Sequence, residues 1–213
     1  MSVEEVYAWV AASQRRVRVL WQMVQPLTAG QIARRVGLAL ASCSYVLWEF
    51  SMNDVASCLN GSSKRNRVYW LTPTGVQCQA RLFAAHKVPL PAHDFPSVDW
   101  NLYGDMCFRH RSAMIRSLAE PLQPSEARRR ARQHNPGLRM SGNNARDVVR
   151  SLLRSDLVEP VEVPGQRHRR YVLSDAGRQF RQLLLGADSV TTSYDPTPAS
   201  DGGRRFPAER VGA

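Results

Sequence analysis

Lysine is almost missing from this chain: of 29 basic residues only Lys64 and Lys87 are lysine. The positive charge is therefore carried by arginine, whose planar fork grips phosphate and guanine bidentately. A GC-rich genome produces the same bias. No apolar run approaches the ~20 residues that a bilayer-spanning helix needs. The first residues lack a basic n-region and an apolar h-region, so no secretory signal is expected. The four cysteines, Cys43, Cys58, Cys78 and Cys107, form no CxxC pair and no zinc-finger spacing. Free thiols fit a cytosolic protein. There is no glycine-rich phosphate loop, no HExxH and no nucleophile motif. Cys107 and His110 stand in a C-x-x-H spacing, but no second pair joins them to make a metal site. These absences point away from an enzyme, and no cofactor or metal is expected.

What is abundant is positive charge. The net charge is +11 at pH 7 over 213 residues, an excess that points to a polyanionic partner, nucleic acid before an anionic membrane surface. It is unevenly placed: residues 1–86 carry +5, 87–108 carry −2, 109–185 carry +9 and 186–213 carry −1. Basicity follows the two stretches with apolar periodicity, so it belongs to folded surfaces.

Those two stretches repeat each other. Val46, Leu47, Phe50, Asp54, Val55, Tyr69, Leu71, Thr72 and Gly75 match Val148, Val149, Leu152, Asp156, Leu157, Tyr171, Leu173, Ser174 and Gly177 at an offset of 102. Further upstream Pro26 and Leu27 match Pro121 and Leu122 at an offset of 95. The difference places a longer turn in the second copy, around His134–Arg139. A repeat of this kind means two copies of one folded unit.

Each copy has the same order. Ala145, Val148, Val149, Leu152 and Leu153 recur at i, i+3, i+4, i+7 and i+8, one buried stripe of a helix over 142–154. Strands at 157–173 flank a basic tip, and a helix over 174–185 closes the unit. In the first copy the helix is Leu40–Met52. Strands Val55–Leu59 and Arg67–Leu71 lie around a tip of Asn60, Gly61, Ser62, Ser63, Lys64, Arg65 and Asn66, in which Asn-Gly is a hairpin signal. Ser2 and Glu5 make a capping box, and helical spacing continues to Gln25, as one long helix or two, ended by Pro26. This extra helix serves either a homodimer or its own core. Thr28 caps the next helix and Gly37 turns it. The second copy opens from Ser97, with helices at 98–120 and 124–133. The expected boundaries are 1–86 for the first unit, 87–96 for a Pro-rich linker, 97–186 for the second unit and 187–213 for a disordered tail.

A helix, a basic hairpin and the pattern Tyr-x-Leu-Ser/Thr-x-x-Gly resemble winged helix-turn-helix regulators of the MarR, PadR and ArsR type. That resemblance implies a mainly α fold with small β-wings, α+β in class, here as two tandem winged helix-turn-helix domains. It implies a sequence-specific double-stranded DNA-binding protein, cytoplasmic and nucleoid-associated, that regulates transcription. A plasmid or phage initiation or partition protein, and a protein–protein interaction module, are the alternatives. DNA-contacting candidates on the second recognition helix are Ser141, Asn143, Asn144, Arg146 and Arg150. Asn can pair with adenine and Arg with guanine, while Asn143 or Asn144 can instead cap the helix. On the first helix they are Ser42, Ser44 and Tyr45; Trp48 is expected to pack against the other copy. The wing tips add Lys64, Arg65, Arg67, Arg167, His168 and Arg169. Arg128 and Arg129 lie on the helix that crosses the phosphate backbone in such proteins.

Overall fold

The computed structural model describes residues 1–162, 164–165 and 168–188. Arg167 and the segment 189–213 lie outside the described residues. The described chain is a mixed α/β structure. In order it runs α1 (Val3–Ala11), α2 (Gln14–Gln22), β1 (Leu27–Thr28), α3 (Ala29–Val36), α4 (Leu40–Met52), β2 (Ala56–Cys58), β3 (Val68–Leu71) and α5 (Pro73–Ala85). Then come α6 (Trp100–Met106), α7 (Arg109–Ser117), α8 (Pro124–His134), α9 (Gly142–Arg154), β4 (Val158–Val161), β5 (Arg170–Leu173) and α10 (Asp175–Gly186). The strands form two small antiparallel sheets, β1-β3-β2 and β4-β5.

The first helix is two, not one. Ser2 and Glu5 make the expected capping box at α1, with Ser2 N donating to Glu5 Oε2 at 2.7 Å. Ser13 then leaves helical geometry at φ −134°, ψ 117°. The break lets α1 pack against both α2 and α5. Val6 and Val10 are thereby buried at 2% and 1% exposure, so the apolar face of α1 is covered within its own half. Pro26 does not end α2. It stops at Gln22, where side chains take up terminal carbonyls. Arg35 Nη1 donates to Gln22 O at 2.9 Å, and Gln79 Nε2 to Leu20 O and Met23 O at 2.7 and 2.9 Å. In the second half the same region divides into α6 and α7. Its cap is Asp99 and not Ser97, with Asp99 Oδ1 accepting from Asn101 N and Leu102 N.

The repeat is repeated in backbone detail. Leu27 pairs with Tyr69 in the first half, and Leu122 bridges Tyr171 in the second. Asp54 and Asp156 both take φ +53° after their helices. Val55 N then donates to Phe50 O at 2.8 Å, and Leu157 N to Leu152 O at 2.9 Å. Thr72 and Ser174 cap α5 and α10, each hydroxyl accepting from the glycine three residues on at 3.1 Å. The longer turn of the second copy falls between α8 and α9, as expected.

The hairpin expected around residues 60–66 forms, with β2 and β3 paired antiparallel. Asn60 is buried; its Oδ1 accepts from Val68 N at 2.7 Å and its Nδ2 donates to Asn66 O at 3.2 Å. The amide staples the loop over 60–67. That loop rests on α6: a Cβ at Gly104 would lie 2.4 Å from Asn60 Nδ2, and Ser62 Oγ bonds Asn101 Oδ1 at 2.8 Å. The first hairpin is therefore anchored at its base, although Lys64 and Arg65 remain exposed.

Two apolar clusters form, one built mainly from α1–α5 and one from α6–α10, but they interlock. Val68 belongs to the second cluster and Ala187 to the first. The Pro-rich stretch between them is held by rings: Phe95 lies 4.8 Å from Trp70 and 6.2 Å from Trp100, and His93 bonds Gln79 Oε1 at 2.9 Å. Gln25 Nε2 reaches Leu183 O at 2.9 Å, and Arg35 donates to Gly186 O and Ala187 O.

The boundary expected at 187 therefore moves. Ala187 is buried and Asp188 pairs with Arg116 at 3.1 Å. A chain ending at Gly186 loses an acceptor for Arg35, an ion pair and a buried methyl, together about 1–2 kcal/mol. It is expected to melt roughly 2–8 °C below a chain ending at Asp188. Calorimetry of the two truncations measures this, and coincident melting would show that the Arg35 contacts stabilise nothing.

Candidate nucleic-acid interface

In the second half three elements enclose one groove of about 530 Å³. The start of α8 contributes Arg128, α9 contributes Arg146 and Arg150, and the hairpin contributes His168 and Arg169. Five of the residues expected from the sequence thus converge. Arg128 approaches the start of α9, where a Cβ at Gly142 would make ordinary contact with its Nη1 at 3.9 Å. Arg128 Nε is buried and meets no hydrogen-bond acceptor among the described residues.

At the start of α9, Ser141 is the cap: its Oγ accepts from Asn144 N at 3.1 Å. That leaves the exposed Asn143 and Asn144 side chains out of the capping role. Asn143 Oδ1 accepts from Arg146 Nη1 at 3.1 Å, which holds the guanidinium over the first turn. Arg150 pairs with Asp147 at 3.0 Å, but both side chains are about two-thirds exposed (71% and 67%). Such a pair contributes little and exchanges readily for a stronger anion.

Other candidates fall elsewhere. Arg129 lies on a separate hollow with Glu120, Glu126 and Arg130. Successive helical residues are about 100° apart, so Arg128 and Arg129 cannot share one narrow groove. Arg130 is held by Glu120 at 2.5 Å, and Arg170 by Glu126 and the Pro121 carbonyl. Gln123 and Ser125 also line the main groove, and the sequence reading passed over them. Their signal was Pro124 at the first position of α8, beside the capping pair Gln123 and Glu126.

The equivalent groove in the first half, about 990 Å³, joins Ser44 with Lys64, Arg65 and Arg67. Ser42 and Tyr45 line a neighbouring hollow along α4, shared with Arg15. Trp48 does not pack against the other half; it is 55% exposed. Cys107 and His110 do not converge: His110 Nε2 bonds Arg139 O at 2.9 Å, and the Cys107 thiol receives Gln31 Nε2 at 3.9 Å. Burial pushes the Cys43 and Cys107 thiols up to about 12, which keeps both protonated at neutral pH. Among the described residues no cluster of three His, Cys, Asp or Glu is placed to hold a metal ion, and no helix is long and apolar enough to cross a membrane. Comparison with known proteins finds no matching family model, no similar curated protein and no similar solved structure.

Proposed function

We propose that this chain is a sequence-specific double-stranded DNA-binding protein that regulates transcription, built as two winged helix-turn-helix domains in tandem, residues 1–86 and 97–188. The observation that carries the reading is the groove where Arg128, Arg146, Arg150, His168 and Arg169 meet. In this reading α8 crosses the backbone, α9 enters the major groove and the β4–β5 hairpin is the wing. The outer guanidinium nitrogens of Arg128, which lines the groove, take a phosphate oxygen. Arg146 and Asn143 occupy the first turn of α9, where recognition helices reach base edges. Arg pairs with guanine and Asn with adenine. Arg169 and His168 grip the backbone beside them, without sequence information of their own.

The test separates reading from gripping. A preferred duplex is first selected from a random library with the wild-type protein. A lost bidentate base contact costs about 1–3 kcal/mol, which is roughly 5- to 150-fold in affinity. Arg146→Ala is expected to lose that factor on the selected duplex and far less on random duplex. Arg169→Ala is expected to weaken both alike. The assignment of α9 as reader is lost if Arg146→Ala leaves the selected-to-random ratio unchanged. Circular dichroism serves as control, because Arg146 is exposed and its removal leaves the core intact.

A further inference from the structure

Helices α4 and α9 occupy equivalent places but differ in their outward faces. Leu40, Ser44 and Trp48 stand where the second half has Gly142, Arg146 and Arg150. Leu40, Tyr45, Trp48 and Met52 are exposed by 57, 59, 55 and 69%. The Tyr45 and Trp48 rings lie 5.6 Å apart, tilted by 35°. This aromatic face is flanked by cations. Lys64, Arg65 and Arg67 share the groove with Trp48, and Arg15 shares the hollow with Tyr45. The acid on this helix, Glu49, is already bound by Arg16 at 2.7 and 3.2 Å.

Such a face suits one kind of polyanion. A duplex hides the faces of its bases and offers only edges, which are read by guanidinium and amide groups. The exposed face of α4 has neither group. Unpaired bases offer their faces, and these stack on aromatic side chains while cations track the phosphates. A second copy of this chain is disfavoured by charge, because it would set the same cations against one another. We propose that the Tyr45–Trp48 face of α4, with Lys64, Arg65 and Arg67, binds unpaired nucleotides of a single-stranded nucleic acid. The proposal rests on the nucleic-acid reading of the second half. Together they make the chain a binder of junctions, with duplex on α9 and single strand on α4.

The experiment uses the full chain and three fluorescein-labelled probes: a 20-mer of thymidylate, a 20-mer of uridylate and a blunt duplex. Fluorescence anisotropy gives the affinities. The wild type is expected to bind one or both single strands, and which one distinguishes DNA from RNA. Loss of one stacked base costs about 5- to 150-fold, so Trp48→Ala and Tyr45→Ala should each weaken single-strand binding by that factor. Trp48→Phe should restore most of it, and duplex affinity should stay within about twofold for both Trp48 variants. Both rings are more than half exposed, so melting temperatures should match the wild type. The proposal is overturned if the wild type ignores both single strands, or if the alanine variants bind them as the wild type does. Loss of self-association in the variants, seen by sedimentation with single-strand binding unchanged, would also overturn it and give the face to a second copy. Failure to bind the blunt duplex, with single-strand binding intact, would sink only the reading of the second half.

Discussion

Gly177→Ala is expected to lower the melting temperature by roughly 4–24 °C, and Gly75→Ala by a similar amount. A Cβ at Gly177 would lie 2.0 Å from Leu157 O, and one at Gly75 would lie 1.9 Å from Val55 O. No side-chain movement relieves this, because the obstacle is backbone. The same carbonyls accept from Ser174 N at 3.2 Å and from Thr72 N at 3.1 Å, closing the corner between strand and helix. Pushing the helix away breaks that bond and tilts the cap above it. Overpacking costs about 1–3 kcal/mol, and a buried backbone group left unpaired about as much again. A total of about 2–6 kcal/mol is a large share of ordinary stability, and each kcal/mol shifts melting by about 2–4 °C at this chain length. Gly61→Ala is the control, since a Cβ there meets nothing within 4 Å. Thermal denaturation of the three variants decides it. A Gly177→Ala protein melting within about 2 °C of wild type would mean that α10 shifts without cost.

These two glycines were legible in the sequence because they recur at one offset, and what recurs here is backbone geometry. The tyrosine of β3 and β5, the left-handed aspartates and the hydroxyl caps were legible for the same reason. The elements that were not legible depend on contacts far along the chain. The spacing of Val10 and Val17 stays in helical phase across Ser13, so periodicity cannot show that α1 folds back onto α5. Asn60 looked like a turn residue; it is a buried staple because Gly104 of α6 admits the loop against it. Ala187 and Asp188 sit at the edge of a polar tail, yet Arg35 and Arg116 secure them from distant helices. For the groove, the cations of α9 were evident because they lie off the apolar stripe of that helix, and those of the hairpin because a basic tip recurs in both copies. The division between Arg128 and Arg129 was not, since it depends on which way α8 is rotated. Trp48 was misassigned because an apolar side chain was taken to need a core, whereas the first groove leaves it open.

Salt dependence is expected to differ between a blunt duplex and a duplex with a single-stranded extension. Among the described residues the second groove carries four arginines, Arg128, Arg146, Arg150 and Arg169. Each phosphate neutralised on duplex DNA contributes about 0.9 to the slope of log affinity against log salt, so four give about 3.6. Between 50 and 200 mM salt the affinity for a blunt duplex is then expected to fall about 150-fold. The first groove adds Lys64, Arg65 and Arg67. On a single strand each adds about 0.7, so a tailed duplex has a slope near 5.7 and falls about 3,000-fold over the same range. Titrations at four salt concentrations separate the two slopes. A blunt duplex falling about 6,000-fold, the value for seven duplex phosphates, would mean that the first groove grips duplex as well. That result would leave Tyr45 and Trp48 without a reason to be exposed. A flat response on both probes would remove the nucleic-acid reading altogether. Lys64→Ala with Arg65→Ala sharpens the test: the pair should lower the slope by about 1.4 on the tailed duplex and leave the blunt one unchanged. The two substitutions lie on exposed residues of a loop whose base is held by Asn60 and Ser62, so the loop keeps its place when the charges are gone.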